Sequence, residues 1–380
     1  MRVGLDGYPL AAPPTGVGHY TLELAQALAL LAPDDSFELI SPFPFEPSIQ
    51  KKLDEASPAN LAAVNPRGAT INRRWWAAGL PLYLWRNPFD VFHGTNYDVP
   101  LWNRKQTVVT IHDLSILLHP QNHQRHLVRR ARRRLPLMAR AATMVITPSE
   151  SVKREVCEHL NINADKIVVT PEAPRRSFRP VPIEETVAVR ARLGVEADFI
   201  LFVGTIEPRK NLLTLMLAFD DVLRHSAIRP QLVIAGGEGW LMDEFFSFVE
   251  KSGAGERVRF TGYLTDEDLR ALYSSCRICI YPSLYEGFGL PPLEAMACGA
   301  PVITSNIPAI VETVGVAACL VDPLDVSSLA KTLVELWNDD ARRGELSEMG
   351  QRRAATFSWE RTARLTYQVY QEVLLRRKKS

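Results

Sequence analysis

Short runs of apolar residues alternate along the chain with longer segments in which apolar residues recur at helical spacing. Such short runs predict strands, because a strand that is buried on both faces reads as a continuous apolar stretch. The first set lies at Val3–Asp6, Phe37–Ser41, Val91–His93, Val108–Ile111, Met144–Thr147 and Ile167–Thr170. Strands that alternate with helices are typical of a parallel sheet, so the pattern predicts an α/β fold.

A proline-rich segment, Pro171–Pro182, interrupts this series. The second set of apolar runs follows it, at Phe199–Gly204, Leu232–Ala235, Val258–Phe260, Ile278–Tyr281 and Val302–Thr304. We place a domain boundary at the interruption, which gives an N-terminal domain of residues 1–178 and a C-terminal domain of residues 179–358. A length of 380 residues agrees with two domains rather than one.

Composition excludes several classes of protein. Hydrophobic residues make up 46% of the chain and charged residues 23%, which excludes disordered and fibrous proteins. No apolar run approaches the roughly 18 residues that a transmembrane helix needs, and the first residues, M-R-V-G-L-D, lack the apolar stretch of a signal peptide. Five cysteines, an odd and sparse set, fit a reducing compartment. We therefore expect a cytoplasmic protein.

The most informative segment follows the predicted strand Ile278–Tyr281 and reads Y-E-G-F-G-L-P-P-L-E-A-M-A-C-G-A-P, from Tyr285 to Pro301. Its glycines permit a tight turn, and its two adjacent prolines preset φ for the first turn of a helix. The free amides of such a turn attract phosphate. The carboxylates of Glu286 and Glu294 are then best explained as acceptors for sugar hydroxyl groups, although two surface acids are the alternative. The segment predicts a sugar-nucleotide site at the carboxyl edge of a parallel sheet.

A pair of cations follows the first strand of the second set. Arg209 and Lys210 come shortly after Gly204, which closes that strand. Two cations at this edge suit a diphosphate, but the segment is not a Walker A loop, because Asn211 follows the lysine and the second glycine is missing. A surface pair that begins a helix is the alternative.

Glycines and histidines at other strand ends give weaker signals. They are Gly16 and Gly18 before the predicted helix His19–Leu31, His93 in F-H-G-T-N, His112 beside Asp113, the group Gly236, Gly237 and Gly239, and the loop Thr261–Leu264. Glycines after a strand are turn formers in most proteins, and neither glycine group satisfies the dinucleotide-binding fingerprint. A single histidine at such a position is usually structural, so these residues alone leave their function open.

Several blocks of the chain resemble the retaining glycosyltransferases of family 4, in the family's order. They are T-G-V-G-H-Y at Thr15–Tyr20, I-H-D at Ile111–Asp113, V-G-T-I-E-P-R-K-N-L at Val203–Leu212, the E-x7-E motif from Glu286 to Glu294, and L-V-D-P at Leu320–Pro323. The resemblance implies the GT-B fold, in which two Rossmann-like domains turn their parallel sheets toward an interdomain cleft. It also implies that the first domain binds the acceptor, that the second binds the sugar nucleotide, and that the last helix, residues 359–380, packs back on the first domain.

The resemblance implies roles for individual residues. Arg209 and Lys210 would neutralise the leaving diphosphate, and His112 and Glu286 would position the transferred sugar. Glu294 would accept hydrogen bonds from the ribose diol. The other donor-binding residues would be Gly16, Gly18, Gly204, Gly237, Tyr263, Leu264, Gly287, Phe288, Gly289 and Leu290, with Tyr263 and Leu264 reading the base through backbone groups. The acceptor contacts would be His93 and Asn96.

Acidic clusters offer no convincing metal site. Transferases that need a divalent cation usually hold it with an Asp-x-Asp in a loop after a strand. Asp266 and Asp268 instead follow Thr265 in a helix-capping pattern, and Asp220 and Asp221 lie in an apolar helical run. We therefore expect no metal and no other cofactor, with the nucleotide sugar as donor substrate.

The segment Arg125–Arg140 carries seven arginines and no acid. Up to Phe178 the chain has 21 Lys and Arg against 16 Asp and Glu, a net charge of +5, whereas the remainder has 23 against 27, a net charge of −4. Aromatic residues are not interleaved with the arginines, which argues against nucleic-acid binding. A basic, partly amphipathic helix suits an anionic membrane surface, so we expect peripheral membrane contact, with a solvated helix face as the alternative.

The sequence therefore predicts an enzyme that transfers a hexosyl group from a nucleotide sugar with retention at the anomeric carbon. GDP-mannose is the expected donor, on overall likeness to bacterial polysaccharide mannosyltransferases, with UDP-glucose or a dTDP-deoxysugar such as rhamnose as alternatives. The expected acceptor is a glycan or a polyprenyl-diphosphate-linked saccharide in cell-surface polysaccharide synthesis. A sugar-nucleotide epimerase and an inactive GT-B binding subunit are the rival functions.

Overall fold

The computed structural model describes residues 1–13, 15–66, 74–101 and 106–379, without the side chains of residues 377–379. The chain forms two compact units, one of Met1–Glu172 with Ser358–Ser380 and the other of Ala173–Phe357. The second unit begins at Ala173, whereas the domain boundary predicted from the sequence follows Phe178. The reason is that the buried Phe178 ring belongs to the core of the second unit, where it lies 6.0 Å from the ring of Tyr273.

A parallel sheet forms the centre of the first unit. Its described strands are β1 (Arg2–Asp6), β2 (Ser36–Ile40), β3 (Leu61–Val64), β4 (Val91–Gly94), β5 (Thr107–Thr110), β6 (Met144–Thr147) and β7 (Ile167–Val169). They lie side by side in the order β3-β2-β1-β4-β5-β6-β7. Every residue of β4, β5 and β6 is buried, which agrees with the largely apolar sequences of these strands.

Helices connect these strands. In the first unit the structure describes α1 (Gly16–Leu31), α2 (Pro47–Ala56), α3 (Leu80–Arg86), α4 (Ser115–Leu118), α5 (Arg125–Ala141), α6 (Glu150–Leu160) and α15 (Trp359–Lys379). The C-terminal helix α15 packs on α1, and the ring of its first residue, Trp359, lies 6.0 Å from that of Tyr20. A buried hydrogen bond of 2.7 Å joins Tyr370 in α15 to His93 in β4.

The second unit has its own parallel sheet. Its described strands are β8 (Phe199–Val203), β9 (Gln231–Ala235), β10 (Val258–Gly262), β11 (Ile278–Tyr281), β12 (Val302–Ser305) and β13 (Cys319–Val321), in the order β10-β9-β8-β11-β12-β13. Its described helices are α7 (Ile183–Leu193), α8 (Leu212–His225), α9 (Asp243–Lys251), α10 (Asp266–Ser275), α11 (Leu290–Ala297), α12 (Pro308–Val314), α13 (Val326–Asn338) and α14 (Asp340–Ala354).

Both sheets confirm the predicted α/β fold with two Rossmann-like halves. In each sheet the strand order reverses at one point, between β1 and β4 in the first unit and between β8 and β11 in the second. In parallel sheets of this kind the loops diverge at the reversal and leave a crevice at the carboxyl ends of the strands, where ligands bind. The candidate site therefore begins with the residues that follow these four strands.

Two features of the first unit and one of the second differ from the sequence analysis. The edge strands β3 and β13 are not predicted, although both are short apolar runs; β3 exposes Ala62 and Ala63, and β13 has only 3 residues and exposes Leu320. Helix α1 begins at Gly16 rather than at His19. Gly16 and Gly18 therefore lie in the first turn of α1, where the N–H groups have no acceptor within the helix.

The described part of the chain contains no helix that combines the length and the apolar character needed to cross a bilayer.

Candidate active site

Two cations and one carboxylate meet at the point where the second sheet reverses its strand order. Arg209 and Lys210 lie in a single 3-10 turn after β8, and Glu286 lies in the loop after β11. Arg209 Nη1 donates to Oε2 of Glu286 at 2.7 Å, and Lys210 Nζ donates to its Oε1 at 2.6 Å. All three residues are predicted from the sequence to be functional, and the structure brings them into direct contact.

Neighbouring groups hold this cluster in place. Arg209 Nη2 donates to the buried Glu207 at 2.6 Å, and its Nη1 also contacts the carbonyl oxygen of Tyr285 at 3.1 Å. The hydroxyl of Tyr281 donates to Oε1 of Glu286 at 2.9 Å and is in hydrogen-bond contact with Lys210 Nζ, which also lies 4.9 Å from the centre of the Tyr281 ring. Two cations and two carboxylates thus form one compact, charge-balanced group.

Burial and the neighbouring charges shift the pKa values of Glu286, Lys210 and Tyr281. Burial alone would raise the pKa of Glu286, but Arg209 and Lys210 outweigh burial and lower that pKa to about 2. Burial, followed by the charge of Arg209, lowers the pKa of Lys210. Burial and the charge of Glu286 raise the pKa of Tyr281 well above its ordinary value, so this hydroxyl stays protonated. Glu286 is therefore a carboxylate at neutral pH and an acceptor on both oxygens.

The loops after β8 and β9 pack against each other through glycines. A Cβ atom at Gly236 would collide with the carbonyl oxygen of Gly204, and the amide of Ile206 donates to the carbonyl oxygen of Gly237 at 3.0 Å. A Cβ at Gly237 would meet only open space. The backbone of these loops therefore lies within reach of a ligand, as the predicted donor contacts of Gly204 and Gly237 require.

The predicted base-reading loop follows β10. Tyr263 is 57% exposed and Leu264 is partly buried. Thr265 then caps helix α10, accepting a hydrogen bond from the amide of Asp268 at 3.2 Å, as the capping pattern predicts. The contact of this loop with a base remains a prediction.

The loop before α11 has the predicted glycine turn. Gly289 caps the helix with φ 106°, a conformation that glycine adopts readily, and prolines occupy the first turn. The side chain of Phe288 lies in the core, with its ring 5.6 Å from that of Phe357, and its carbonyl oxygen accepts a hydrogen bond from the Thr313 hydroxyl at 2.7 Å. Its contact with a donor stays a prediction. Gly287 is buried and Leu290 partly buried.

Glu294 lies in the body of α11 rather than in its first turn, and its carboxylate is bound by an arginine. Arg175 Nε donates to Oε1 of Glu294 at 2.7 Å, and Nη2 donates to Oε2 at 2.8 Å. Both residues are almost fully buried. The predicted ribose acceptor is therefore a carboxylate held in a two-point contact.

In the first unit, His112 follows β5 and is buried at the carboxyl edge of the sheet. Its Nε2 lies 2.8 Å from the carbonyl oxygen of Thr95, and its Nδ1 lies 3.0 Å from Oε1 of Glu172. Both partners are acceptors, so both ring nitrogens carry protons. Burial alone would lower the pKa of His112, but Glu172 outweighs burial and raises it. His112 is therefore held between Thr95 and Glu172, and its contact with a sugar stays a prediction.

His93 is placed differently from the prediction. Its side chain has no exposed surface, and its ring nitrogens contact the hydroxyls of Tyr370 at 2.7 Å and Thr110 at 2.8 Å. Burial lowers its pKa to about 3, so it is neutral. This position in the core argues against the predicted acceptor contact, because an interior β4 residue points into the packing of α15. Asn96, which follows β4, is partly exposed.

The predicted glycines of the first unit lie in the first turn of α1. Gly16 is exposed and Gly18 is buried. The amides of a first helical turn have no acceptor within the helix, which suits an anion. The glycines therefore occupy a suitable position for a donor contact, which remains a prediction.

The acidic pairs examined as metal ligands have structural partners. Asp220 pairs with Arg224 at 2.7 Å, and Asp221 pairs with His225 at 2.8 Å, each one helical turn apart. Among the described residues, no group of three or more His, Cys, Asp and Glu side chains is arranged to hold a metal ion.

Comparison with known proteins identifies the family. The model for glycosyltransferase family 4 matches residues 14–173, and the model for glycosyl transferases group 1 matches residues 188–353. O-antigen chain mannosyltransferase B of Escherichia coli is 32% identical to the chain over 386 residues, which cover 97% of this chain and 99% of that protein. The chain belongs to the family 4 glycosyltransferases. The resemblance seen in its motifs is thereby confirmed.

Other relatives and solved structures place this glycosyltransferase among GT-B proteins. The MMP alpha-(1->4)-mannosyltransferase of Mycolicibacterium hassiacum is 28% identical over 99% of both chains. Sucrose-phosphate synthase from Thermosynechococcus elongatus has a TM-score of 0.78 at 23% identity, covering 98% of this chain and 99% of its own. HepE of Anabaena, solved with UDP and glucose, has a TM-score of 0.75 at 18% identity, with the same coverage. These structures share the fold of the glycosyltransferase.

Sequence reasoning missed two residues of the glycosyltransferase that bind its predicted site residues. Glu172 pairs with His112, and Arg175 pairs with Glu294. Both belong to the proline-rich segment P-E-A-P-R-R, which the sequence analysis treats only as a boundary. An acid and an arginine in a segment between two sheets were the available signal, but nothing in the sequence indicates which groups they meet.

Proposed function

We propose that this glycosyltransferase transfers mannose from GDP-mannose, with retention at the anomeric carbon and without a metal ion. The acceptor is a glycan or a polyprenyl-diphosphate-linked saccharide in cell-surface polysaccharide synthesis. The observation that carries the proposal is the contact of Arg209 and Lys210 with Glu286 at the strand reversal of the second sheet. This arrangement offers two cations for a diphosphate and a carboxylate for sugar hydroxyl groups.

A diphosphate would compete with Glu286 for both cations. Its oxygens are suited to the Arg209 guanidinium and to the Lys210 ammonium group, which are the usual protein partners of phosphate. Once the cations turn to the diphosphate, the oxygens of Glu286 become available to the hydroxyl groups of the sugar. In this scheme the two cations supply the positive charge that a metal ion supplies in other transferases.

The same cations stabilise the transition state. As the bond between the sugar and the diphosphate breaks, negative charge grows on the diphosphate oxygens. Once they have turned to the diphosphate, Arg209 and Lys210 keep Glu207 and Tyr281 as neighbours, so they need little further reorganisation as the bond breaks. In contact with Arg209 and Lys210, which lower its pKa to about 2, Glu286 is a weak base. We propose instead that the leaving diphosphate takes the proton from the attacking hydroxyl on the same face, which gives retention.

The choice of mannose rests on relatives rather than on a residue. The Escherichia coli relative is named as an O-antigen chain mannosyltransferase and covers nearly the whole chain. The WbdA proteins of Escherichia coli are named as serotype-specific mannosyltransferases and are also 32% identical, but the matched region spans only 34% of the first of them. These names support mannose as the sugar and an O-antigen or similar polysaccharide as the product.

Helix α5 is the part of the first unit that we propose meets the membrane. Its arginines Arg125, Arg129, Arg130, Arg132, Arg133 and Arg140 are exposed. Two apolar side chains of the same helix are also exposed, Leu127 at 40% and Leu137 at 50%. Arg134 instead pairs with Asp98 at 2.5 Å. Exposed cations beside apolar side chains suit anionic headgroups and shallow acyl burial, which would bring the enzyme to a lipid-linked acceptor.

The proposal is tested by following GDP-mannose by proton NMR, with saccharide acceptors and EDTA present. We expect acceptor-dependent loss of GDP-mannose and an α-mannosyl product, since the donor is α-linked. A β-mannosyl product would contradict retention, and turnover of UDP-glucose or a dTDP-deoxysugar alone would overturn the donor. Isomerisation without acceptor would indicate an epimerase, and nucleotide binding without turnover of any donor would indicate an inactive subunit.

A further inference from the structure

Arg175 contacts both segments that are predicted to hold the nucleoside. Its Nε and Nη2 atoms bind the two oxygens of Glu294, and its Nη1 donates to Oδ1 of Asp266 at 2.6 Å. Asp266 is the first residue of α10 and follows the predicted base-reading loop. A single guanidinium group therefore links the predicted ribose acceptor to the helix that ends the predicted base site.

The environment of Arg175 keeps its guanidinium group in one orientation. The group lies over the ring of Phe178, with its central carbon 4.0 Å from the ring centre, and its side chain is only 9% exposed. The guanidinium plane is rigid, and its paired donors match the geometry of a carboxylate. The Glu294 carboxylate is thus held at both oxygens, with its plane set by Arg175.

A carboxylate bound in this way can still accept further hydrogen bonds. Each carboxylate oxygen has about two lone-pair positions, and Arg175 uses one on each oxygen. The remaining lone-pair positions of Glu294 have a fixed direction, because the two parallel N–H groups of Arg175 fix the plane of the carboxylate. A ribose diol presents two hydroxyl groups on adjacent carbons, so a carboxylate with fixed lone pairs suits its recognition better than one that rotates freely.

We propose that Arg175 is a positioning residue that orients Glu294 for the 2′- and 3′-hydroxyl groups of the donor nucleotide. This inference rests on the proposed function, in which Glu294 binds the ribose. Arg175 touches no reacting atom and acts through Glu294. Its second contact, with Asp266, fixes the position of Glu294 relative to the loop Thr261–Leu264, which is predicted to bind the base.

The alternative is that Arg175 only anchors the start of the second unit. A purely anchoring role would change stability, but it would not change how the protein distinguishes a ribonucleotide from a nucleotide without the diol. The decisive readout is therefore the ratio of the dissociation constants of 2′,3′-dideoxy-GDP and GDP, measured by titration calorimetry on the full-length protein.

The variants are R175K, which keeps the positive charge but loses the two-point contact with Glu294, and R175Q, which loses both. Arg192 provides a matched control, because it also pairs with an acid of α10, Asp268, but is largely exposed. We expect wild type and R192K to bind GDP about tenfold or more tightly than the dideoxy form, as hydrogen bonds to a charged group predict. In R175K and R175Q the ratio should fall toward one, with E294Q showing the same loss.

Each outcome separates the inference from the proposed function. The inference would be overturned if folded R175K had the same ratio of dissociation constants for dideoxy-GDP and GDP as the wild type. It would also be overturned if the wild type bound GDP and its dideoxy form equally. If R175Q does not fold, thermal unfolding will show it, and R175K still decides the question. Failure of the wild type to bind any nucleoside diphosphate would overturn the proposed function and, with it, the inference.

Discussion

Lys210 Nζ lies 2.6 Å from Oε1 of Glu286, although the two residues are 76 positions apart and follow different strands. The contact forms because β8 and β11 are neighbours in the sheet while the chain between them passes through β9 and β10. It places an ammonium group and a carboxylate at the strand reversal, where a sugar nucleotide would need both.

Replacing Lys210 by methionine should remove much of the transition-state stabilisation. Loss of one preorganised charge donor typically costs about 2.7–4 kcal/mol, so kcat/KM for the donor should fall about 10²–10³-fold. The matched control is K331M, because Lys331 is exposed and pairs with Glu335 at the surface. Thermal unfolding of K210M distinguishes a lost site from a lost fold. Wild-type kcat/KM in K210M would contradict the role of the ammonium group.

The low pKa of Glu286 should make its contribution to stability depend on pH. A carboxyl pKa lowered from 4.5 to about 2 stabilises the fold at pH values above 4.5, and this contribution is lost as the pH falls toward 2. Chemical denaturation of wild type and E286Q should therefore show a constant difference in the free energy of unfolding above about pH 5. The difference should shrink in more acidic solution. A difference that is the same at pH 3 and pH 7 would exclude this linkage.

Glu172 should maintain the charge on His112. The raised pKa of His112 stabilises the fold fully below pH 6.5, and this stabilisation disappears as the pH rises through the raised pKa. In E172Q the imidazole should titrate at a lower pH than in wild type, because burial then dominates. NMR titration of the histidine ring signals measures both values. Equal titration midpoints in the two proteins would show that the pair seen in the structure is not maintained in solution.

Neutralising the exposed arginines of α5 should weaken binding to anionic vesicles. The test variant changes Arg129, Arg130, Arg132 and Arg133 to glutamine and keeps Arg134, which pairs with Asp98. Each cation near an anionic surface contributes about 1 kcal/mol, so cosedimentation with phosphatidylglycerol vesicles should be largely lost. A control changes the exposed cations Arg224, Lys331, Arg342 and Arg352 of the second unit. Unchanged cosedimentation of the α5 variant would rule out this surface.

The sequence was sufficient for the parts of the fold that are buried. Met144–Thr147 and Ile278–Tyr281 have the same bounds in the prediction and in the structure, because interior strands of a parallel sheet are apolar throughout. Only two of the four edge strands that the structure describes, β3 and β13, are not predicted, whereas β7 and β10 at the opposite edges are. The carboxyl ends of the interior strands were therefore predictable, and with them the positions of Arg209, Lys210 and Glu286.

Partners that depend on long-range packing were not predictable. His93 has the same strand-end position in the sequence as His112, yet one ring contacts a residue of α15 and the other contacts Glu172. Periodicity places both at the sheet edge but carries no information on which segment covers them. Arg175 was missed for the same reason, because its partner Glu294 is 119 positions away.

The central claim is that the second unit binds a nucleoside diphosphate through Arg209 and Lys210 without a metal ion. Titration calorimetry of GDP, UDP and dTDP into the wild-type protein and K210M, all in EDTA, tests it most directly. We expect the wild type to bind with a preference for GDP, and K210M to bind much more weakly. Binding of none of the three nucleotides, or binding that appears only when a divalent cation replaces EDTA, would contradict it.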